Sequence, residues 1–139
     1  GSQEKELKNL VKKFKIKNVY FFGQVPNKEM PKYYSRACVM INPTDVDNAP
    51  LSVLEAFASG LVVVSTDAGG LSDIIDDNKT GFLIRKNNCT EISDKMNFIF
   101  ENRAYARKVA EAGRRDVFTK NSQESVMKKL VNIYTEILV

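Results

Sequence analysis

Two short runs, Cys38–Asn42 (CVMIN) and Leu61–Ser65 (LVVVS), are apolar almost without interruption. A strand with one face in water alternates apolar and polar residues. A brief run that does not alternate fits a strand covered on both faces. Between the two lies Pro50–Ser59, a stretch of helix formers with Pro at its head and Gly60 just past its end. Buried strand, helix, buried strand makes a parallel pair joined by a right-handed crossover. That unit places the chain in the layered α/β class.

The remaining pattern extends the alternation. Val19–Phe22 and Phe82–Ile84 read as further strands, Lys28–Arg36 and Leu71–Ile75 as further helices. Thr90 is placed to cap a helix from Glu91 to about Asn102, and another is expected over Ala104–Val117. A last helix follows Ser122, with Val126, Leu130, Ile133, Tyr134 and Ile137 at helical spacing. The chain opens on a helix with Leu7, Leu10, Val11 and Phe14 facing inward. Its lysines, Lys5, Lys8, Lys12, Lys13, Lys15 and Lys17, fall on the outer face. The plain reading of that face is a solvated helix surface; attraction to anionic lipid or to a lipid-linked phosphate is the second.

At 139 residues the chain is one domain of ordinary size, short for a two-domain enzyme. Gly1-Ser2 has the look of a tag-cleavage scar. No apolar run approaches the ~18 residues of a membrane span. The net charge of +4 lacks interleaved aromatics or a recognised motif, which argues against nucleic-acid binding. Cys38 and Cys89 do not make a disulfide framework; Cys38 is expected buried and reduced, as in a cytoplasmic protein. With no histidine, Ser-His-Asp and His-metal chemistry are excluded for this chain.

The chemistry gathers after the first buried strand. The polar loop at 43–50 leads into a helix whose first N–H groups face outward at the carboxyl edge of the sheet, a ready anion site. Asp47 on the loop and Glu55 on the helix lie eight residues apart, so two carboxylates can reach opposite ends of one ligand lying across that N-terminus. Phosphate held by backbone amides and hydroxyls gripped by acids suggest a nucleotide-sugar or a related phosphate ligand. Asp45-Val46-Asp47 also spells a DxD metal tripeptide, but the strand–helix–strand order around it does not need a metal. Asp73, Asp76 and Asp77 read as a polar turn closed by Asn78 and Gly81, and Gly69-Gly70 as a place of close backbone approach.

Taken in order, VYFFGQV (Val19–Val25), CVMINP (Cys38–Pro43), LSVLEAFASGLVVV (Leu51–Val64), STDAGG (Ser65–Gly70) and DNKTGFL (Asp77–Leu83) resemble the family 4 retaining glycosyltransferases. The resemblance is to the C-terminal, donor-binding half of their two-domain GT-B fold, and covers about residues 5 to 118. It implies a Rossmann-like α/β domain over residues 3–139, a parallel sheet flanked by helices. It also implies a nucleotide-sugar donor, most readily a UDP- or GDP-sugar, with no cofactor and no metal. By the resemblance Glu55 accepts the ribose hydroxyls, and Asp47 stands where the family carries a Glu that approaches the sugar. Asn48, Ala49, Leu51 and Ser52 then lie at the sugar and phosphate oxygens, with Gln24 and Val25 beside the base. The acceptor, a glycan or lipid-linked molecule, would be held by an N-terminal domain, at the cytoplasmic face of a membrane or free of it.

The family domain opens with two more strands, carrying a basic pair that contacts the diphosphate; this chain starts at the helix that follows them. Losing them removes the middle of a sheet ordered 3-2-1-4-5-6. Val19–Phe22 is then expected to pair differently, with Cys38–Asn42 or with another molecule. Two other functions fit the same residues: another GT-B enzyme such as a nucleotide-sugar epimerase, or a non-catalytic binding module that keeps the fold.

Overall fold

A computed structural model describes residues 3–46, 48 and 50–137. The chain divides into two compact units, Gly1–Lys32 and Tyr33–Val139.

The first unit contains α1 (Glu4–Lys13) followed by irregular chain, and the boundary falls inside α2 (Met30–Tyr34). Two expectations change here. Val19–Phe22 is not a strand: the sheet has three strands and this segment is none of them. Strand composition alone does not make a strand, because its backbone groups need a ladder partner, and the described part of this unit has no other strand. Tyr20 and Phe22 are instead 73% and 63% exposed. The apolar stripe of α1 is likewise uncovered, since there is no sheet within the unit for it to pack on; the helix buries none of its residues.

The second unit holds the sheet, β1 (Val39–Asn42), β2 (Val62–Thr66) and β3 (Phe82–Ile84), in the order β1-β2-β3 and parallel throughout. The register pairs Val39 with Val62, Asn42 with Ser65, and Thr66 with Ile84. All five residues of the central β2 are buried, as expected of its apolar run, whereas β1, expected covered on both faces, buries none and leaves Ile41 exposed because it lies at the edge of the sheet. Val62, Val64, Phe82 and Ile84 pack on Ile99, Ala106, Val109 and Ala110, which come from α5 (Cys89–Glu101) and α6 (Arg103–Asn121). A last helix, α7 (Gln123–Ile137), forms where its period places it but buries none of its residues.

Between β1 and β2 runs α3 (Leu51–Ala58), with Pro50 as its N-cap residue and Ser59 as its C-cap. Its end closes through two bonds, Gly60 N–H to the Phe57 carbonyl at 2.9 Å and Leu61 N–H to the Ala56 carbonyl at 3.0 Å. That pair is a Schellman motif, and it needs the left-handed backbone Gly60 supplies at φ +78°. The Asp76–Gly81 turn forms as its composition implies. Asn78 takes φ +60°, and the Asp77 carboxylate accepts from Leu83 N–H at 2.9 Å.

Cys38, expected buried, is exposed. It stands just before β1 at the mouth of an open, largely apolar cavity of about 420 Å³, with Val39, Ile99 and Phe100 on its wall. The cap of α5 is Asn88 rather than Thr90: Asn88 Oδ1 accepts from Glu91 N–H at 3.0 Å. Glu91 returns the contact, accepting from Asn88 Nδ2 at 3.0 Å and from Arg85 N–H and Nε at 3.1 Å each. The hydrogen bonds from Arg85, backbone first, hold the Glu91 carboxyl below its usual value. A lowered folded pKa gives stability that is present above the unfolded value and lost as pH falls through the folded one. Urea unfolding at pH 7 and pH 3 is therefore expected to show a smaller acid loss in Glu91→Gln than in the parent; an identical loss would remove this carboxylate from the account.

Candidate functional site

The site is built on the carboxyl edge of β1 and β2. Asn42 ends β1 and its register partner Ser65 lies near the end of β2. Ser65 Oγ donates to the Asn42 carbonyl at 3.1 Å, and Asn42 Nδ2 donates to Ser65 Oγ at 3.2 Å. One residue on, the Thr66 hydroxyl donates to the Thr44 carbonyl. Ser65 and Thr66 are the buried polar residues of this core, and both hydroxyls are used to pin the start of the loop that leaves β1. Such groups would be costly if left unpaired.

The loop is fixed again near its other end. Gly70, at the N-cap of α4 (Leu71–Ile74), lies against the backbone of Asn48, and a Cβ added there would overlap the Asn48 carbonyl oxygen. Of the Gly69-Gly70 pair, Gly70 therefore makes a close approach of backbone to backbone. α3 then starts at the sheet edge with no acidic residue in its first turn and no side-chain cap. Its positive end is left for something outside the helix to answer.

The sequence-derived candidates are placed as follows. Asn48 and Leu51 are exposed, Leu51 to 73%, and Ser52 is half-buried. Glu55 is exposed, one turn further along α3, on a helix that buries Val53, Ala56 and Phe57. Side chains on a helix lean towards its N-terminus, so Glu55 inclines towards Ser52 and the loop. Asp47 and Ala49 lie outside the described residues. Gln24 and Val25 belong to the first unit, Gln24 exposed and Val25 half-buried, after Gly23 at φ +65°. Among the described residues, no group of three or more Cys, Asp or Glu is arranged to hold a metal ion.

One residue of the site was not singled out from sequence. Tyr34, at the end of α2 and 8% exposed, donates its hydroxyl to Glu55 Oε2 at 3.2 Å and lies 3.5 Å from the Ser52 carbonyl. Burial, then the Glu55 carboxylate, pushes the Tyr34 hydroxyl above its usual pKa. The available signal was a tyrosine within a short apolar helix, since a buried phenol needs a partner.

The parallel sheet, the start of α3 without a side-chain cap and Glu55 on that helix make one α/β unit. Residues 1–116 match the family model described as Glycosyl transferases group 1, and the chain belongs to that family. It is 31% identical over 97 residues to the poly(ribitol-phosphate) alpha-N-acetylglucosaminyltransferase of Staphylococcus aureus, matching 69% of this chain and 20% of that one. Among solved structures, a variant of S. aureus TarM with fondaparinux, alpha-GlcNAc-glycerol and UDP superposes with TM-score 0.85 at 26% identity, over 96% of this chain and 27% of that one. Anabaena HepE with UDP-glucose gives 0.86 at 17% identity, over 95% and 36%, a likeness of fold. The fold is thus that of one part of the GT-B glycosyltransferases, and the chain spans only about a fifth to two fifths of the length of the curated relatives it matches.

Proposed function

We propose that this chain is the donor-binding part of a glycosyltransferase that moves a sugar from a nucleoside diphosphate to a glycan or lipid-linked acceptor. The observation that carries the reading is the uncapped start of α3 at the sheet's carboxyl edge, with Glu55 one turn behind it. Family membership and transferase relatives favour transfer over epimerisation. The N–H groups of Leu51 and Ser52 meet the diphosphate, while Glu55 accepts the ribose hydroxyls through its two oxygens. Asn48, Ala49 and Asp47 attend the sugar, with Asp47 one methylene shorter than the family's Glu. UDP in the TarM variant and UDP-glucose in HepE support a uridine donor over guanosine.

In mechanism, the helix N-terminus stabilises charge growing on the departing diphosphate as the C1–O bond lengthens. The acceptor hydroxyl attacks the same face, its proton passing to the leaving phosphate oxygen, so the anomeric configuration is retained as in family 4. Phosphate charge is answered by dipole and basic side chains without a metal. No helix among the described residues is long and apolar enough to cross a membrane. The enzyme works on the cytoplasmic side, with the lysine-rich α1 available for peripheral contact with anionic lipid.

Titrating UDP, GDP, ADP and their sugar conjugates into the chain while following amide NMR shifts tests the site. Saturable shifts over residues 48–55 for one nucleotide are expected, with affinity falling at least about tenfold in Glu55→Ala, the loss of hydrogen bonds to a charged acceptor. Absence of shifts both here and in a version extended upstream would overturn the donor-site reading.

A further inference from the structure

We propose that Tyr34 is a positioning residue that holds Glu55 in the rotamer needed to receive vicinal hydroxyls, leaving Oε1 as the oxygen first open to ligand. This rests on the donor-site reading and goes beyond it by naming what selects a ribose over a deoxyribose.

The argument starts from the phenol. Tyr34 has one hydroxyl proton and two acceptors in range, Glu55 Oε2 at 3.2 Å and the Ser52 carbonyl at 3.5 Å. The carboxylate is nearer and charged, so it takes the proton. Ser52 and Glu55 are three residues apart on α3, hence on one face of it, and the Tyr34 hydroxyl sits over both. A tyrosine 8% exposed is itself fixed by packing, so it transmits that fixity to a glutamate that is otherwise exposed.

A free surface glutamate samples many rotamers and loses that freedom on binding. One already hydrogen-bonded at Oε2 loses less, and its Oε1 has a set direction. Oε2 keeps lone-pair capacity after accepting from Tyr34, so a second ligand hydroxyl can still share it. A tyrosine phenol is protonated, and so a donor, through the neutral range, and burial beside Glu55 pushes its pKa further up.

A residue that only supports the fold would weaken all ligands alike; a positioning residue for Glu55 weakens those that use the hydroxyls. The experiment measures binding of UDP and 2′,3′-dideoxyuridine diphosphate to the parent, Tyr34→Phe, Glu55→Ala and the double variant, with amide dispersion confirming folding. Tyr34→Phe is expected to weaken UDP about five- to twentyfold, the range for a hydrogen bond to a charged group. Dideoxy-UDP should stay within about twofold, and in the Glu55→Ala background, where residue 55 offers no side-chain acceptor, Tyr34→Phe should have no further effect. Equal weakening of both ligands, or none of either, would overturn the role of Tyr34 while leaving the donor site standing. If UDP does not bind the parent at all, the donor-site reading falls, and this inference with it.

Discussion

Phe57→Ala is expected to remove about 3–5 kcal/mol of unfolding free energy, the usual loss for truncating a buried phenylalanine. The side chain is 1% exposed. It fills the space under α6 so tightly that a Cβ added at Gly113 would fall 2.6 Å from its ring, and one at Gly81 would fall 3.3 Å from it. Neither glycine offers a side chain that can swing in, so the vacated volume stays open. Against the roughly 5–15 kcal/mol typical of whole domains, such a loss leaves the unit marginal. Equilibrium urea unfolding followed by far-UV circular dichroism measures it. Phe57→Leu, which retains most of the volume, should lose less than half as much. A loss below about 1 kcal/mol in the alanine variant would mean that the packing between α3 and α6 relaxes freely.

Gly70→Ala should do most of its damage at the ligand. The new methyl group would occupy the position of the Asn48 carbonyl oxygen, which is backbone and cannot rotate away. Either the loop before α3 or the start of α4 has to move. The loop is already pinned at its far end through Thr44, Thr66 and Asn42, so the strain falls on residues 45–51. We expect a stability loss of about 1–3 kcal/mol, in the range of overpacking, and at least about a tenfold loss of UDP affinity, as a 1 Å misplacement can bring. Amide spectra should show changes confined to the loop and the first turn of α3. Unchanged affinity would show that the approach of Gly70 to Asn48 does not set the loop.

What could be read from sequence was what local pattern determines. β1, β2 and β3 fall within a residue of their apolar runs, and α3 begins after Pro50 and closes at Gly60, because strand-forming runs and end chemistry are written in neighbouring residues; burial was legible only for β2, since Ile41 of β1 is 40% exposed. Val19–Phe22 has equally strand-like composition and is no strand, since pairing depends on a partner the composition cannot name. Cys38 was placed inside with its strand, but it sits one residue before β1, at a cavity mouth. Asn88 rather than Thr90 caps α5 because Asn88 and Glu91 can bond each other across three residues, a reciprocity a single-residue preference does not weigh. At the site, Glu55 was legible as an acid in an apolar helix, whereas Tyr34, 21 residues away, meets it only through the fold.

α3 is eight residues long, and it has to serve both as the floor of the site and as a wedge in the core. Val53, Ala56 and Phe57 are committed to the interior and Glu55 to the Tyr34 contact, which Ser52 meets only through its backbone carbonyl. Little of the helix is left for variation. Laboratory selection for a new donor should therefore enrich changes outside α3. Variants that alter the helix itself should need compensating stabilisation elsewhere before they survive.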